Sequence, residues 1–297
     1  MENIDRIEAS LEAALAAQHG DAGPPRLTLA MRDSVFPGGA RIRPQLTLAV
    51  AQACGADDLR LATAAAASIE LMHCASLVHD DLPCFDNALT RRGRPSVFAA
   101  HGERLAVLAG DALIVTAFQH LANAAAQDPA RLAPLVQTLA TAVGAPSGII
   151  AGQAWECEAR VALTEYQRAK TGALFVAAAV AGAQAAGAQS DPWRSLGECL
   201  GEAYQVADDI RDVALDSEAL GKPAGQDATH GRPSSAAELG LSGAIQLFDR
   251  LIAYASAAIP SCRGSAQLRT LVRMEAKRLV PVELTRKLAP SVTRVAA

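Results

Sequence analysis

At 297 residues and 51% hydrophobic, the chain can bury one large core or two modest ones, which excludes disorder for its bulk. Its 27 basic and 31 acidic residues leave a net charge of −4 with no block of like charge, so nothing supports a nucleic-acid-binding surface. Aromatics make up only 4%, and an apolar fraction carried by Ala, Leu, Val and Ile favours helices over strands.

Ile4, Ile7, Leu11 and Leu15 keep helical spacing ahead of Gly20, which predicts an amphipathic opening helix. Further helices are predicted over 41–54, 59–82, 103–125, 129–143, 146–160, 164–187, 192–215, 235–258 and 265–278. Breaks fall at Pro24-Pro25, Pro37-Gly38-Gly39, Gly93, Asp128-Pro129, Gly221–Gly231 and Pro260. No alternating β-branched run competes and no long polar linker divides the chain, so the expectation is a single all-α domain over residues 1–297. No segment reaches the ~20 uninterrupted apolar residues of a membrane span, and the alanine-rich stretch Ala173–Ala188 reads as a buried helix. The opening residues are acidic and lack a leading basic cluster, unlike a signal peptide. The six cysteines form no CxxC pair and read as reduced core thiols, so a cytoplasmic chain is expected.

Two segments place three carboxylates each on otherwise hydrophobic elements: Asp80, Asp81 and Asp86 in HDDLPCFD, and Asp208, Asp209 and Asp212 in QVADDIRD. Asp208 and Asp212 are four apart and share a helix face, where like charges repel. A divalent cation explains why an apolar helix accepts that repulsion, and all-oxygen ligands suit Mg²⁺, which keeps several waters and shares them with substrate phosphates. In the first segment Pro83 breaks the helix and lets Asp86 swing back toward Asp80. Both motifs follow long apolar runs, so they would face each other across the mouth of one bundle. Thr90-Arg91-Arg92-Gly93-Arg94 and Gly38-Gly39-Ala40-Arg41-Ile42-Arg43-Pro44 combine arginines with glycines that admit close backbone approach, a combination suited to phosphate. Lys170 and Thr171 open a strongly apolar helix, and a buried lysine needs an anion.

In order, GGARIRP, ELMHCASLVHDDLPCFDN, RRG, AGQAWE, KTGALF, AYQVADDIRD and GKPAGQD make the chain resemble the trans-polyprenyl diphosphate synthases over nearly its whole length. Among them it is most similar to the geranylgeranyl diphosphate synthases of carotenoid-producing bacteria, which share the six-residue spacing of the first aspartate motif. The resemblance implies an all-α bundle around a central apolar cavity, a homodimer, and several Mg²⁺ ions between the aspartate motifs. The implied substrates are isopentenyl diphosphate and an allylic diphosphate. Asp80, Asp86 and Asp208 would bind metal, with Asp81, Asp209 and Asp212 supporting. Arg91 would contact the allylic diphosphate, and Arg43, His73 and Arg92 would hold isopentenyl diphosphate. Lys170, Thr171, Gln205 and Lys222 would line the allylic diphosphate and the reacting carbon. Gln153 reads either as a site residue or as helix packing.

Two departures stand out. Ala40 occupies the place where the family usually has a lysine, which leaves open whether Arg41 supplies the missing charge. Asn87-Ala88-Leu89 stands where many relatives carry further aspartates. Product length is expected to depend on the helix ending at Asp80. Relatives that stop at farnesyl diphosphate commonly carry an aromatic residue five before the first aspartate, and here that residue is Ala75, followed by Ser76, with Met72 a turn below as a floor. The expected main product is geranylgeranyl diphosphate. The alternatives are a farnesyl diphosphate synthase, a class I terpene cyclase and a non-catalytic partner subunit; the two diphosphate-binding segments and the complete aspartate triads disfavour the last two.

Overall fold

Helix α10 (Ala173–Ala185) is apolar on every side, and a helix with no polar face has to be covered all round. In the computed structural model, which describes residues 2–18, 23–36, 39–158, 163–214 and 234–280, that requirement organises the bundle. Helices α3 (Ile42–Ala53), α4 (Arg60–Asp80), α7 (Pro129–Val143) and α11 (Arg194–Ala214) all pack against α10. Several of these contacts are backbone on backbone. A Cβ added at Gly182 would stand 2.4 Å from the Thr47 carbonyl, and one at Gly197 2.5 Å from Val176 Cα, so α3 and α11 sit closer than side chains would allow.

Around this centre lie α1 (Glu2–Ala16), α2 (Pro25–Val35), α5 (Val97–His101), α6 (Glu103–Ala124), α8 (Ile149–Ala154), α9 (Leu163–Gln167), α12 (Ser235–Ala258) and α13 (Ser265–Leu279). The all-α expectation holds. A short antiparallel hairpin, β1 (Thr90–Arg91) with β2 (Arg94–Pro95), was not expected. Its two-residue loop, Arg92-Gly93, has positive φ at both positions, as a tight type I′ connection requires. The sequence also hides α2, because Pro24-Pro25 reads as a break while Pro25 actually takes the first helical position, where its missing N–H costs nothing. The predicted helix over 146–160 is shorter, an α-helix to Ala154 and a 3₁₀ turn over Trp155–Cys157. The predicted helix over 164–187 is interrupted by a π turn at Arg168–Gly172.

Although neither is an uninterrupted apolar run, α4 and α6 are each long and apolar enough, by length and composition alone, to cross a bilayer. For α4 the reason is burial: 83% of its apolar window lies inside the bundle. Helix α6 differs, with only 39% of its window buried, and Val107, Leu108 and Val115 stand exposed along it.

Four helices meet at one buried cation. Arg41 takes a left-handed backbone (φ 48°, ψ 38°) just before α3, and its guanidinium is fully buried. It donates to Glu70 of α4 at 2.7 Å, to Glu8 of α1 at 2.8 Å and to the Val35 carbonyl of α2 at 2.8 Å. Glu70 is only 3% exposed, so Arg41→Met leaves its charge buried and unpaired, at a cost of about 3–5 kcal/mol. Chemical unfolding of the variant is expected to show a clearly lowered midpoint, and an unchanged one would mean that the four helices do not depend on this cation.

Candidate active site

The first aspartate motif closes α4. Beyond Asp80 the chain turns back, as the break at Pro83 predicts: the Asp86 amide donates to the Asp80 carbonyl at 2.9 Å and the Ala88 amide to the Asp81 carbonyl at 3.0 Å. The two leading aspartates then diverge. Asp81 is 2% exposed and is gripped by Arg91, whose Nε donates to both carboxylate oxygens at 2.8 and 2.9 Å and whose Nη2 donates at 2.6 Å. Asp80 has one buried oxygen, Oδ1, that accepts no hydrogen bond; the nearest cation, Lys170 Nζ, stands 3.6 Å away. Burial raises the Asp80 carboxyl above its ordinary value, opposed by Lys170 and reinforced by Asp86.

The second motif, on α11, repeats this division. Asp209 is 1% exposed and satisfied, accepting from Gln205 Nε2 at 3.0 Å and from the Ser235 amide at 2.7 Å. Asp212 is buried with its Oδ1 lacking a hydrogen bond, and Asp208 accepts from Arg211 Nη2 at 3.0 Å. Among the described residues no three acidic, histidine or cysteine side chains converge closely enough to enclose a metal ion by themselves.

The π turn brings the motifs into relation. Its adjacent residues Lys170 and Thr171 reach different helices, Lys170 toward Asp80 of α4 and Thr171 to Gln205 of α11, where its hydroxyl donates to Oε1 at 2.9 Å. Gln205 is thereby oriented from both ends, accepting from Thr171 and donating to Asp209. A Cβ added at Gly201 would stand 2.7 Å from Gly172 Cα, so α11 rests directly on the turn.

A cationic group gathers beside the first motif. Arg43 is 8% exposed, and its guanidinium lies over the Phe175 ring at 4.6 Å and the Tyr204 ring at 5.6 Å. Arg92, at the hairpin tip, rests on the Gly39 backbone, where an added Cβ would stand 2.5 Å from its Nη1. Burial, together with Arg43, Arg92, Arg91 and Arg41, holds His73 well below the ordinary imidazole range, so it is neutral at physiological pH. Arg41 itself is committed to Glu70 and Glu8, which answers the question left by Ala40: no charge is lent from the neighbouring position. The carbonyl of exposed Ala40 accepts from Gln45 Nε2, at 2.7 Å.

The residues linked with product length divide as well. Ser76 donates to the His73 carbonyl at 2.8 Å. Ala75 is 1% exposed and shares a face with Ser68, bonded to the Ala117 carbonyl, and His79, packed on Gly110, so it points toward α6. Met72 is fully buried, and one turn below it a small void opens between Ala65, Ser68 and Ile69 of α4, Leu121 of α6, Leu135 of α7 and Ala181 of α10. Lys222 lies outside the described residues. Gln153 donates to Glu156 at 3.3 Å, a residue of the AGQAWE segment to which sequence reading gave no role. Glu156 also takes Lys170 Nζ at 2.5 Å and Tyr166 Oη at 2.6 Å.

Comparison with known proteins agrees with this architecture. The polyprenyl synthetase family profile matches residues 24–251. A geranylgeranyl diphosphate synthase of Cereibacter sphaeroides is 53% identical over 279 residues, covering 94% of this chain and 97% of the relative. One from Rhodobacter capsulatus is 49% identical over 93% of this chain and 96% of its own length. Among solved structures, an FPP/GFPP synthase from Zymomonas mobilis superposes with a TM-score of 0.77 at 31% identity, covering 93% of this chain and 99% of that one. A geranyltransferase from Helicobacter pylori complexed with magnesium and isoprenyl diphosphate gives a TM-score of 0.78 at 29% identity, covering 94% and 98%. With two carboxylate motifs joined through one π turn, a cationic group beside them, and relatives aligned over almost the full length, the chain belongs to the polyprenyl synthetase family.

Proposed function

We propose that the protein is a trans-prenyltransferase that condenses isopentenyl diphosphate with an allylic diphosphate and releases geranylgeranyl diphosphate as its main product. The observation that carries this reading is the pair of buried carboxylate oxygens without hydrogen bonds, one in each motif, flanking residues suited to diphosphate. Hard oxygen donors fit Mg²⁺, which is commonly held by one or two carboxylates and completed by water and substrate phosphate. Asp80 and Asp86 in the first motif and Asp208 in the second would hold such ions, and Asp212 has an oxygen to offer. Bound Mg²⁺ supplies the positive charge that makes diphosphate a leaving group. The magnesium in the Helicobacter pylori relative supports this assignment.

The chain's own residues then divide the work. Lys170 places an ammonium against the departing diphosphate. Arg91, held by Asp81 through Nε and Nη2, would contact the allylic diphosphate through its remaining nitrogen, Nη1. Arg43 and Arg92, with neutral His73 as a hydrogen-bond donor, form the second diphosphate site. As the allylic C–O bond breaks, the Thr171 hydroxyl and the Gln205 amide oxygen, fixed by the bond to Asp209, present their dipoles to the developing cation. The double bond of isopentenyl diphosphate supplies the electron pair for the new C–C bond, and the proton lost from the adduct passes to the released pyrophosphate. The exposed Val107, Leu108 and Val115 of α6 suit burial against a second copy, which supports a homodimer.

Asp80→Ala or Asp208→Ala is expected to lower kcat by orders of magnitude, as loss of several kcal/mol of transition-state charge stabilisation would. Asp80→Ala should also raise the metal-free melting temperature, because it removes a carboxylate that burial disfavours. Steady-state kinetics and thermal melts check both, and wild-type turnover in either variant would refute the two-motif mechanism. Since Arg41 is committed elsewhere, Ala40→Lys should lower KM for isopentenyl diphosphate, by at most the ~1.5–3 kcal/mol of one charge-assisted hydrogen bond, with the allylic KM nearly unchanged. For product length, Ala75→Tyr is expected to shorten the chain to farnesyl. Met72→Ala should lengthen it, because the void one turn lower becomes continuous with the truncated site. Chromatography of dephosphorylated products decides, and a wild-type enzyme ending at farnesyl would rule out the proposed floor.

A further inference from the structure

Lys170 stands between two carboxylates and bonds one of them. Its ammonium donates to Glu156 Oε1 at 2.5 Å and stays 3.6 Å from Asp80 Oδ1, the buried oxygen that accepts no hydrogen bond. Glu156 is built to win this competition. Tyr166 Oη donates to the same oxygen at 2.6 Å and Gln153 Nε2 to the other at 3.3 Å, so donors from α8, α9 and the π turn fix one carboxylate. Gly152 seats α8 on the turn, since a Cβ there would stand 2.5 Å from Lys170 Cα. Both partners are largely sheltered, with 22% of the Lys170 side chain and 21% of the Glu156 side chain exposed, so the pair is only partly screened by water.

We propose that Glu156 is a positioning residue that holds Lys170 off Asp80 and so keeps that carboxylate open to a divalent cation; the inference rests on the function proposed above. Without Glu156, the nearest anion left to the ammonium is Asp80. A lysine closed onto Asp80 would neutralise it and occupy the oxygen that a metal needs. With Glu156 present, an arriving diphosphate can take the ammonium over from Glu156 without its passing through Asp80. Glu156 thus acts on the metal site through Lys170, touching neither metal nor substrate.

The test is a double-mutant cycle read by metal binding. Mn²⁺, as a spin-visible stand-in for Mg²⁺, is titrated into the purified protein with inorganic pyrophosphate and followed by electron paramagnetic resonance. Glu156→Gln is expected to weaken Mn²⁺ binding about tenfold or more, the usual scale for residues that orient metal ligands. Glu156→Asp, which keeps the charge, should recover most of the affinity. In a Lys170→Gln background the same Glu156→Gln change should alter binding less than twofold, because no ammonium remains to close onto Asp80. A merely structural role would weaken binding equally in both backgrounds, and that result would overturn the proposal, as would unaltered binding in Glu156→Gln alone. If the wild-type protein takes up no metal with pyrophosphate, the metal-site reading itself falls. Far-UV circular dichroism of each variant separates lost binding from lost fold.

Discussion

Backbone contact around α10 is the constraint on which the site depends. Gly182 meets α3 at Thr47, Gly197 of α11 meets Val176, Gly201 of α11 meets Gly172, and Gly152 of α8 meets Lys170. At each of these places two chain segments touch with no side chain between them, so their separation cannot relax by a rotamer change. Lys170, Thr171, Gln205 and Arg43 all project from segments positioned in this way. The precision demanded by a reaction between two anionic substrates therefore comes from packing in the apolar interior, away from the charges themselves.

Those charges follow a common division. In each motif one aspartate is satisfied inside the fold, Asp81 by Arg91 and Asp209 by Gln205 and the Ser235 amide. Each motif also keeps a buried oxygen without a hydrogen bond, on Asp80 and on Asp212. The satisfied member anchors the segment, and the other stores an unmet demand for positive charge. Burial raises Asp80, Asp81 and Asp209 alike, so the metal-free fold carries an electrostatic cost that a cation relieves.

Much of this was legible in the sequence. Apolar periodicity locates α3, α4, α6, α7, α11, α12 and α13 to within a residue or two, because each buries a broad apolar face. The aspartate pattern and the break at Pro83 place the first motif and its return toward Asp80. What escaped was set by three-dimensional pairing. Nothing local distinguishes Arg41, a buried structural cation, from Arg43, two residues on, which lies over the Phe175 and Tyr204 rings; the difference lies in Glu70 and Glu8, which come from other helices. Glu156 stood within a motif yet drew no role, since its partners Tyr166 and Lys170 come from other elements, α9 and the π turn. The hairpin at Thr90–Pro95 is too short for alternation to register, and the interruption at Arg168–Gly172 leaves the apolar run unbroken.

That interruption also bears on how the chain can change over evolutionary time. A π turn is an α-helix carrying one extra residue in one turn. Deleting any residue between Arg168 and Gly172 would restore an ordinary helix and turn everything before it by about 100° relative to everything after it. Lys170 and Thr171 could then no longer address α4 and α11 at once. Single-residue deletions are tolerated in surface loops, but here one would split the two halves of the site while leaving the helix intact. The irregular turn is thus a fixed point of the lineage, and length variation among descendants of this chain has to accumulate elsewhere.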